Sequence, residues 1–143
     1  MNSGLAMLEP LVGEWSMEAG PPDGEPWPGG GTVTFEWIDG GAFLREAWVI
    51  DMPEAPNGVA IFGCDRGGGI IYQLYTDERD VHRIYEVSLE DGEWKMWREA
   101  GDPFPQRFSA TISDDGDTIA GRWEKLEDGE WGIDFEISYR RLH

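Results

Sequence analysis

Cysteine, lysine and histidine are scarce in this chain, with one Cys, two Lys and two His among 143 residues. A lone Cys64 cannot form an internal disulfide, and it excludes zinc sites built from paired cysteines. Basic residues number 11 against 29 acidic ones, a formal net charge of −18. Such a surface repels phosphate backbones and anionic headgroups, so neither nucleic acid nor a membrane is expected as a partner. No run approaches the roughly 20 apolar residues that span a bilayer. Met1 to Pro10 has neither a basic region nor a sustained apolar stretch, so it does not read as a secretory leader. The expected setting is a reducing, cytoplasmic one.

Catalytic motifs are also missing. There is no Gly-x-Ser-x-Gly elbow, no His-Glu-x-x-His and no phosphate-binding loop. Gly67-Gly68-Gly69 leads into a strand and reads as a flexible turn. Asp114-Asp115-Gly116-Asp117 lacks the spacing of a calcium loop and reads as a hairpin turn. No metal site and no cofactor is expected, and an enzyme is the less favoured class.

What the chain has in quantity is aromatic and turn-forming residues. Aromatics make up 13% of it, eight of them Trp, enough to fill the core of one domain spanning residues 1–143. Asp23-Gly24, Asp39-Gly40, Asn57-Gly58, Asp91-Gly92, Asp115-Gly116 and Asp128-Gly129 tolerate the positive φ that tight hairpins demand. Ten runs rich in β-branched and aromatic residues lie between them. They fall near Val12–Ala19, Gly31–Ile38, Ala42–Asp51, Gly58–Cys64, Gly69–Asp77, Val81–Glu90, Glu93–Ala100, Pro105–Ser113, Asp117–Leu126 and Glu130–Leu142. An open meander of that length would leave two long unpaired edges, which closure removes. The fold expected is an all-β, about ten-stranded antiparallel up-and-down β-barrel, with a two-sheet sandwich as the alternative. Ser3 caps an expected short helix from Gly4 to Leu11, with Leu5, Leu8 and Leu11 on one side, placed to plug a barrel mouth. The stretch from Gly20 to Gly31 is too rich in Pro and Gly for regular structure, and reads as a long loop that Trp27 anchors or closes as a lid.

In the last run Trp131, Ile133, Phe135, Ile137 and Tyr139 alternate with polar residues and are expected to share one face. Three arginines sit mid-strand among apolar residues: Arg45 with Phe43, Ala47 and Val49; Arg83 with Val81, Tyr85 and Val87; Arg98 with Trp94 and Met96. A guanidinium facing inward requires a partner, either an internal acid such as Glu46 or Glu99 or the carboxylate of a ligand. Arg83-x-Tyr85 puts a guanidinium and a phenol on one face, a pair suited to clamping a carboxylate. Trp37, Trp48, Trp97 and Trp123 either line a pocket or are plain core. The expected ligand-binding set is Arg45, Trp48, Arg83, Tyr85, Trp97 and Trp123. His82 reads as exposed, His143 as frayed, and Cys64 as a small buried apolar group.

Leu11-Val12-Gly13-Glu14-Trp15 resembles the Gly-x-Trp signature that opens the first strand of calycin (lipocalin-like) barrels. In that superfamily the tryptophan sits at the closed end beside an arginine of the last strand. Either Arg140 or Arg141 occupies the matching place, and the signature is assigned to Gly13, Trp15 and Arg140. More narrowly, the later chain resembles a bacterial family of uncharacterised lipocalin-like barrels. The resemblance runs through Tyr75-Thr76-Asp77, Val81 to Glu86, Asp115 to Glu124, and Trp131 to Arg140. Fatty-acid-binding proteins carry a helix pair where this chain has its Pro/Gly-rich loop. Secreted lipocalins add a terminal helix and disulfides. Nitrobindin-type haem barrels are closer in layout but hold iron through a histidine. The resemblance implies a fold and a cavity, without an activity.

The leading expectation is a barrel that binds a small apolar or amphipathic ligand, one that can bear a carboxylate, in its interior. Three alternatives remain open: an enzyme using a buried carboxylate such as Glu46 or Glu124, a haem barrel using His82, and a ligand-free interaction module. A homodimer formed through an exposed apolar patch belongs to the last.

Overall fold

Three of the Asp-Gly pairs do what their chemistry predicts. Asp39-Gly40, Asp91-Gly92 and Asp128-Gly129 all have both residues at positive φ. The last two close two-residue hairpins, between Glu90 and Glu93 and between Glu127 and Glu130. The protein, described here by a computed structural model covering residues 3–51, 55–67, 69–98 and 104–143, forms ten strands. They are β1 Gly13–Gly20, β2 Gly31–Ile38, β3 Phe43–Ile50, β4 Gly58–Cys64, β5 Ile71–Asp77, β6 Val81–Glu90, β7 Glu93–Trp97, β8 Gln106–Ile112, β9 Thr118–Glu127 and β10 Glu130–Arg141. Each pairs antiparallel with the next, and β1 pairs with β10, so the sheet is a closed barrel without free edges. Glu99, Gly68 and the Ser3 side chain, to which a partner, a turn and a cap were assigned above, lie outside the described residues.

One mouth is shut. Ser3–Leu11 winds as a 3-10 helix, in which residues three apart eclipse one another. Leu5, Leu8 and Leu11 therefore form one row, and all three are fully buried. Beneath them Trp15, Phe35, Leu44, Phe62, Trp94, Phe108 and Ile119 fill that half of the barrel. No helix among the described residues is long and apolar enough to cross a membrane.

The signature at this end differs from expectation in one residue. Arg141, not Arg140, lies over the Trp15 ring, its guanidinium carbon 4.2 Å from the centroid. Inward-facing Ile137 and Tyr139 are followed at the same period of two by Arg141, whereas Arg140 points out and is exposed. Arg141 also donates to the carbonyls of Pro10, Val12 and Gly116. Gly13 makes room for it: its φ is 130°, and a Cβ there would stand 2.6 Å from the Arg141 Nη1.

β10 departs from strict alternation. The register with β9 shifts between Ile133 and Phe135, and such a bulge exchanges the two faces. Phe135, Ile137 and Tyr139 face inward, while Ile133 and Trp131 are turned to the outer surface, where Trp131 lies under Arg107 at 4.3 Å. The uniform face expected for Trp131 to Tyr139 is thus broken in the middle.

Candidate ligand-binding site

At the mouth opposite the helical plug, the inward positions of β1, β2 and β4 carry small groups, and the barrel is hollow. The cavity measures about 680 Å³, within the range of roughly 300–1,000 Å³ usual for small-molecule sites. Trp48, Arg83, Tyr85 and Trp123 of the expected set line it, together with Tyr75, Gln106, Phe135 and Met17. Trp27, from the 21–30 loop, covers part of the mouth. Its backbone N–H bonds the Ala19 carbonyl at 2.7 Å and its ring meets Phe135 at 6.0 Å, so it is both anchor and partial lid.

Two expected site residues point the other way. Arg45 is on the outer face of β3, bonded to Glu36 at 3.2 Å. Both faces of β3 are apolar, and the register with β2 and β4 turns Leu44, Glu46 and Trp48 inward instead. Trp97 is half-buried on the outer side of β7, because Trp94 and Met96 occupy its inner face. Trp37 lies at the closed end, where its indole donates to Glu9 at 2.9 Å. His82 is exposed on the outer face of β6, and His143 is exposed at the C-terminus, 3.4 Å from Asp117. Cys64 is half-buried against the core.

Arg83 and Tyr85 do act on a common point. The Tyr85 hydroxyl donates to Gln106 Oε1 at 2.5 Å, and Arg83 Nη1 donates to the same oxygen at 3.4 Å. The Arg98 guanidinium stands over the Tyr85 ring, 5.9 Å from its centroid, with its Nε buried and without a partner among the described residues. Among the described residues neither arginine has a carboxylate within ion-pair distance. Burial pushes the Tyr85 phenol above its ordinary pKa, and the charges of Arg83 and Arg98 pull it back. Phe104 packs on Arg83 at 4.7 Å and closes this corner.

The aromatic residues of the wall are held at their polar ends. Trp48 donates to the Pro56 carbonyl at 3.1 Å, and Tyr75 donates to Asp77 at 2.7 Å. Arg79 bonds the same carboxylate, also at 2.7 Å. Burial alone would raise the Asp77 pKa, but these bonds outweigh it and hold the carboxyl at about 2. Gly58 is required beside Trp48, since a Cβ there would collide with the indole and with the Thr76 carbonyl.

Below the cavity, two residues further down β3 and β5 than Trp48 and Tyr75, Glu46 accepts a hydrogen bond from Gln73 at 3.0 Å. Burial lifts the Glu46 carboxyl to about 7, with the Gln73 bond opposing. Of the two carboxylates considered for acid–base work, Glu46 alone is interior. Glu124 is on the outer face of β9, beside Arg107 and Arg122. Glu46 also answers the question of an acidic partner for Arg83, because it is bonded to Gln73 instead. Tyr75, Gln106 and Phe135 were not singled out by sequence. Tyr75 had a signal, since it alternates with Gln73 and Asp77 on β5. Gln106 had none, because its value comes from a side-chain bond to Tyr85, 21 residues away on a strand that is not its neighbour in the sheet.

The chain matches no protein-family model and no curated protein. Among solved structures it is similar to Rv2717c from M. tuberculosis, at 15% identity over 100% of this chain and 99% of that one, with a TM-score of 0.69. A DUF3598-family protein of unknown function from Nostoc punctiforme aligns at 8% identity over 99% of this chain and all of that one, with a TM-score of 0.29. The first likeness establishes the ten-stranded barrel as a fold seen before.

Proposed function

We propose that this barrel is a binding protein for a small amphipathic molecule bearing an acidic group, held in the cavity at the open mouth. The observation that carries this is the convergence of Arg83 and Tyr85 on one amide oxygen, Gln106 Oε1, inside an apolar aromatic cavity. A neutral amide is a weak partner for a guanidinium, and a ligand carboxylate would form a shorter, charge-assisted bond in its place. Binding is favoured over catalysis because Glu46 lies beneath the Trp48–Tyr75 layer and does not line the cavity. It is favoured over haem ligation because His82 is on the outer face. The stacking of Arg141 on Trp15 beside Gly13 supports a calycin-type barrel, and the charge of −18 with one cysteine suits the cytoplasm.

Native mass spectrometry of the purified protein, set against its denatured mass, tests the reading. A stoichiometric mass in excess of 16.1 kDa, absent from Arg83→Gln, supports it. A bare chain mass, together with unchanged tryptophan fluorescence on adding naphthoate or decanoate, overturns it.

A further inference from the structure

The aromatic rings of the cavity are not spread evenly round the barrel. Trp48 stacks on Tyr75 at 5.3 Å and 26°. Tyr75 meets Tyr85 edge-on at 6.3 Å, and Tyr85 meets Trp123 at 5.4 Å and 63°. This continuous arc runs from β3 to β9. The facing wall, from β1 and β10, carries Met17, Ala19 and Phe135, with Asp134 on β10 at the far side from Arg83 in the order of the strands round the barrel.

Two features of this cavity select for shape as well as charge. Its rings are pinned at their outer edges, Trp48 by Pro56 and Tyr75 by Asp77, so the platform is set before a ligand arrives. The clamp is part of the platform, because Tyr85 supplies both the hydroxyl that bonds Gln106 and a ring in the middle of the arc. A carboxylate bound there places whatever it is attached to alongside the arc of Tyr75, Tyr85 and Trp123. An acyl chain would gain burial in that position, yet it would lose the freedom of every torsion it orders. A flat ring loses almost none and gains offset-stacked and edge-on contacts beyond its area.

Resting on the ligand-binding reading above, we infer that the occupant is an aryl carboxylate, a planar fused-ring acid whose carboxylate meets Arg83 and Tyr85 and whose rings lie along the aromatic arc. Arg98, over the Tyr85 ring and with no partner for its Nε among the described residues, adds positive potential to the same end of the cavity.

Isothermal titration of the purified full chain with three probes tests this: naphthoate, the uncharged naphthol and the aliphatic decanoate. Naphthoate is expected to bind about tenfold more tightly than decanoate, the size of effect one or two ring contacts provide. Arg83→Gln is expected to remove most of the naphthoate advantage over naphthol. The comparison among probes uses the unaltered protein, so it does not depend on any variant folding. Decanoate binding as tightly as naphthoate, or more so, overturns the aryl assignment and leaves an amphipathic binder standing. Naphthol matching naphthoate in the unaltered protein overturns the acid clamp, and failure of all three removes both readings.

Discussion

Gln73 donates its side-chain amide to Glu46 at 3.0 Å inside the barrel, while its own Oε1 is buried and has no partner among the described residues. The two facts have one explanation. With its carboxyl raised to about 7, Glu46 carries a proton over the lower pH range. A protonated Glu46 supplies the hydroxyl donor that Gln73 Oε1 lacks. The titratable group across from it is Tyr139, whose phenol burial keeps neutral and the nearby Glu46 carboxyl disfavours ionising further.

The consequence for stability has a definite sign. In the unfolded chain Glu46 titrates at its ordinary 4.5, and in the fold at about 7. The folded state therefore holds this proton more tightly, and stability from this group is full below pH 4.5 and is lost as pH rises through 7. At about 1.4 kcal/mol per pH unit, the loss amounts to about 3 kcal/mol. Glu46→Gln keeps the shape and both hydrogen-bonding roles without titrating. Urea unfolding of both proteins should give similar stabilities at pH 4, and the variant should be more stable by about 3 kcal/mol at pH 8. A stability difference independent of pH would mean that Glu46 titrates like an exposed acid.

Much of this barrel is legible from local chemistry. The Asp-Gly turns and the ten β-rich runs predict a closed meander because each is a property of neighbouring residues. The signature arginine is assigned to Arg140 from sequence, but the two-residue step of Ile137 and Tyr139 continues to Arg141, which is the residue over Trp15. What could not be read depends on register. The β3 sequence FLREAWVI is apolar on both faces, so nothing local decides whether Arg45 or Glu46 turns inward. The bulge between Ile133 and Phe135 is equally hidden, because it is set by the pairing with β9. The Glu46–Gln73 and Tyr85–Gln106 bonds join residues 27 and 21 positions apart, and each exists only once register has placed both partners on the inner face.

The two terminal arginines separate cleanly by experiment. Arg141 bonds three backbone carbonyls, among them that of Pro10 at the end of the helical plug, and covers the Trp15 ring. Replacing it with leucine strands those carbonyls and removes the cation–π contact, at a cost of about 2–4 kcal/mol. Arg140→Leu, on the exposed face, should stay within about 0.5 kcal/mol of the parent. Chemical denaturation followed by tryptophan fluorescence measures both. Equal losses in the two variants would reject Arg141 as the residue that ties the last strand to the plug.

Gln106 offers the sharpest test of the clamp, because its Oε1 already occupies the place argued for a ligand oxygen. Gln106→Glu changes one atom and puts a carboxylate under Arg83 and Tyr85. That internal acid competes with any acidic ligand at an effective concentration a free molecule cannot match. Naphthoate affinity should fall at least about tenfold, while naphthol, which does not need the clamp, keeps its affinity. Thermal stability should hold or rise, since the new charge is paired rather than stranded. Gln106→Ala works in the opposite direction, releasing both donors to a ligand, and should tighten naphthoate binding. If Gln106→Glu leaves naphthoate affinity intact, the acid sits elsewhere in the cavity, and Arg83 and Tyr85 serve only to fix the end of β8.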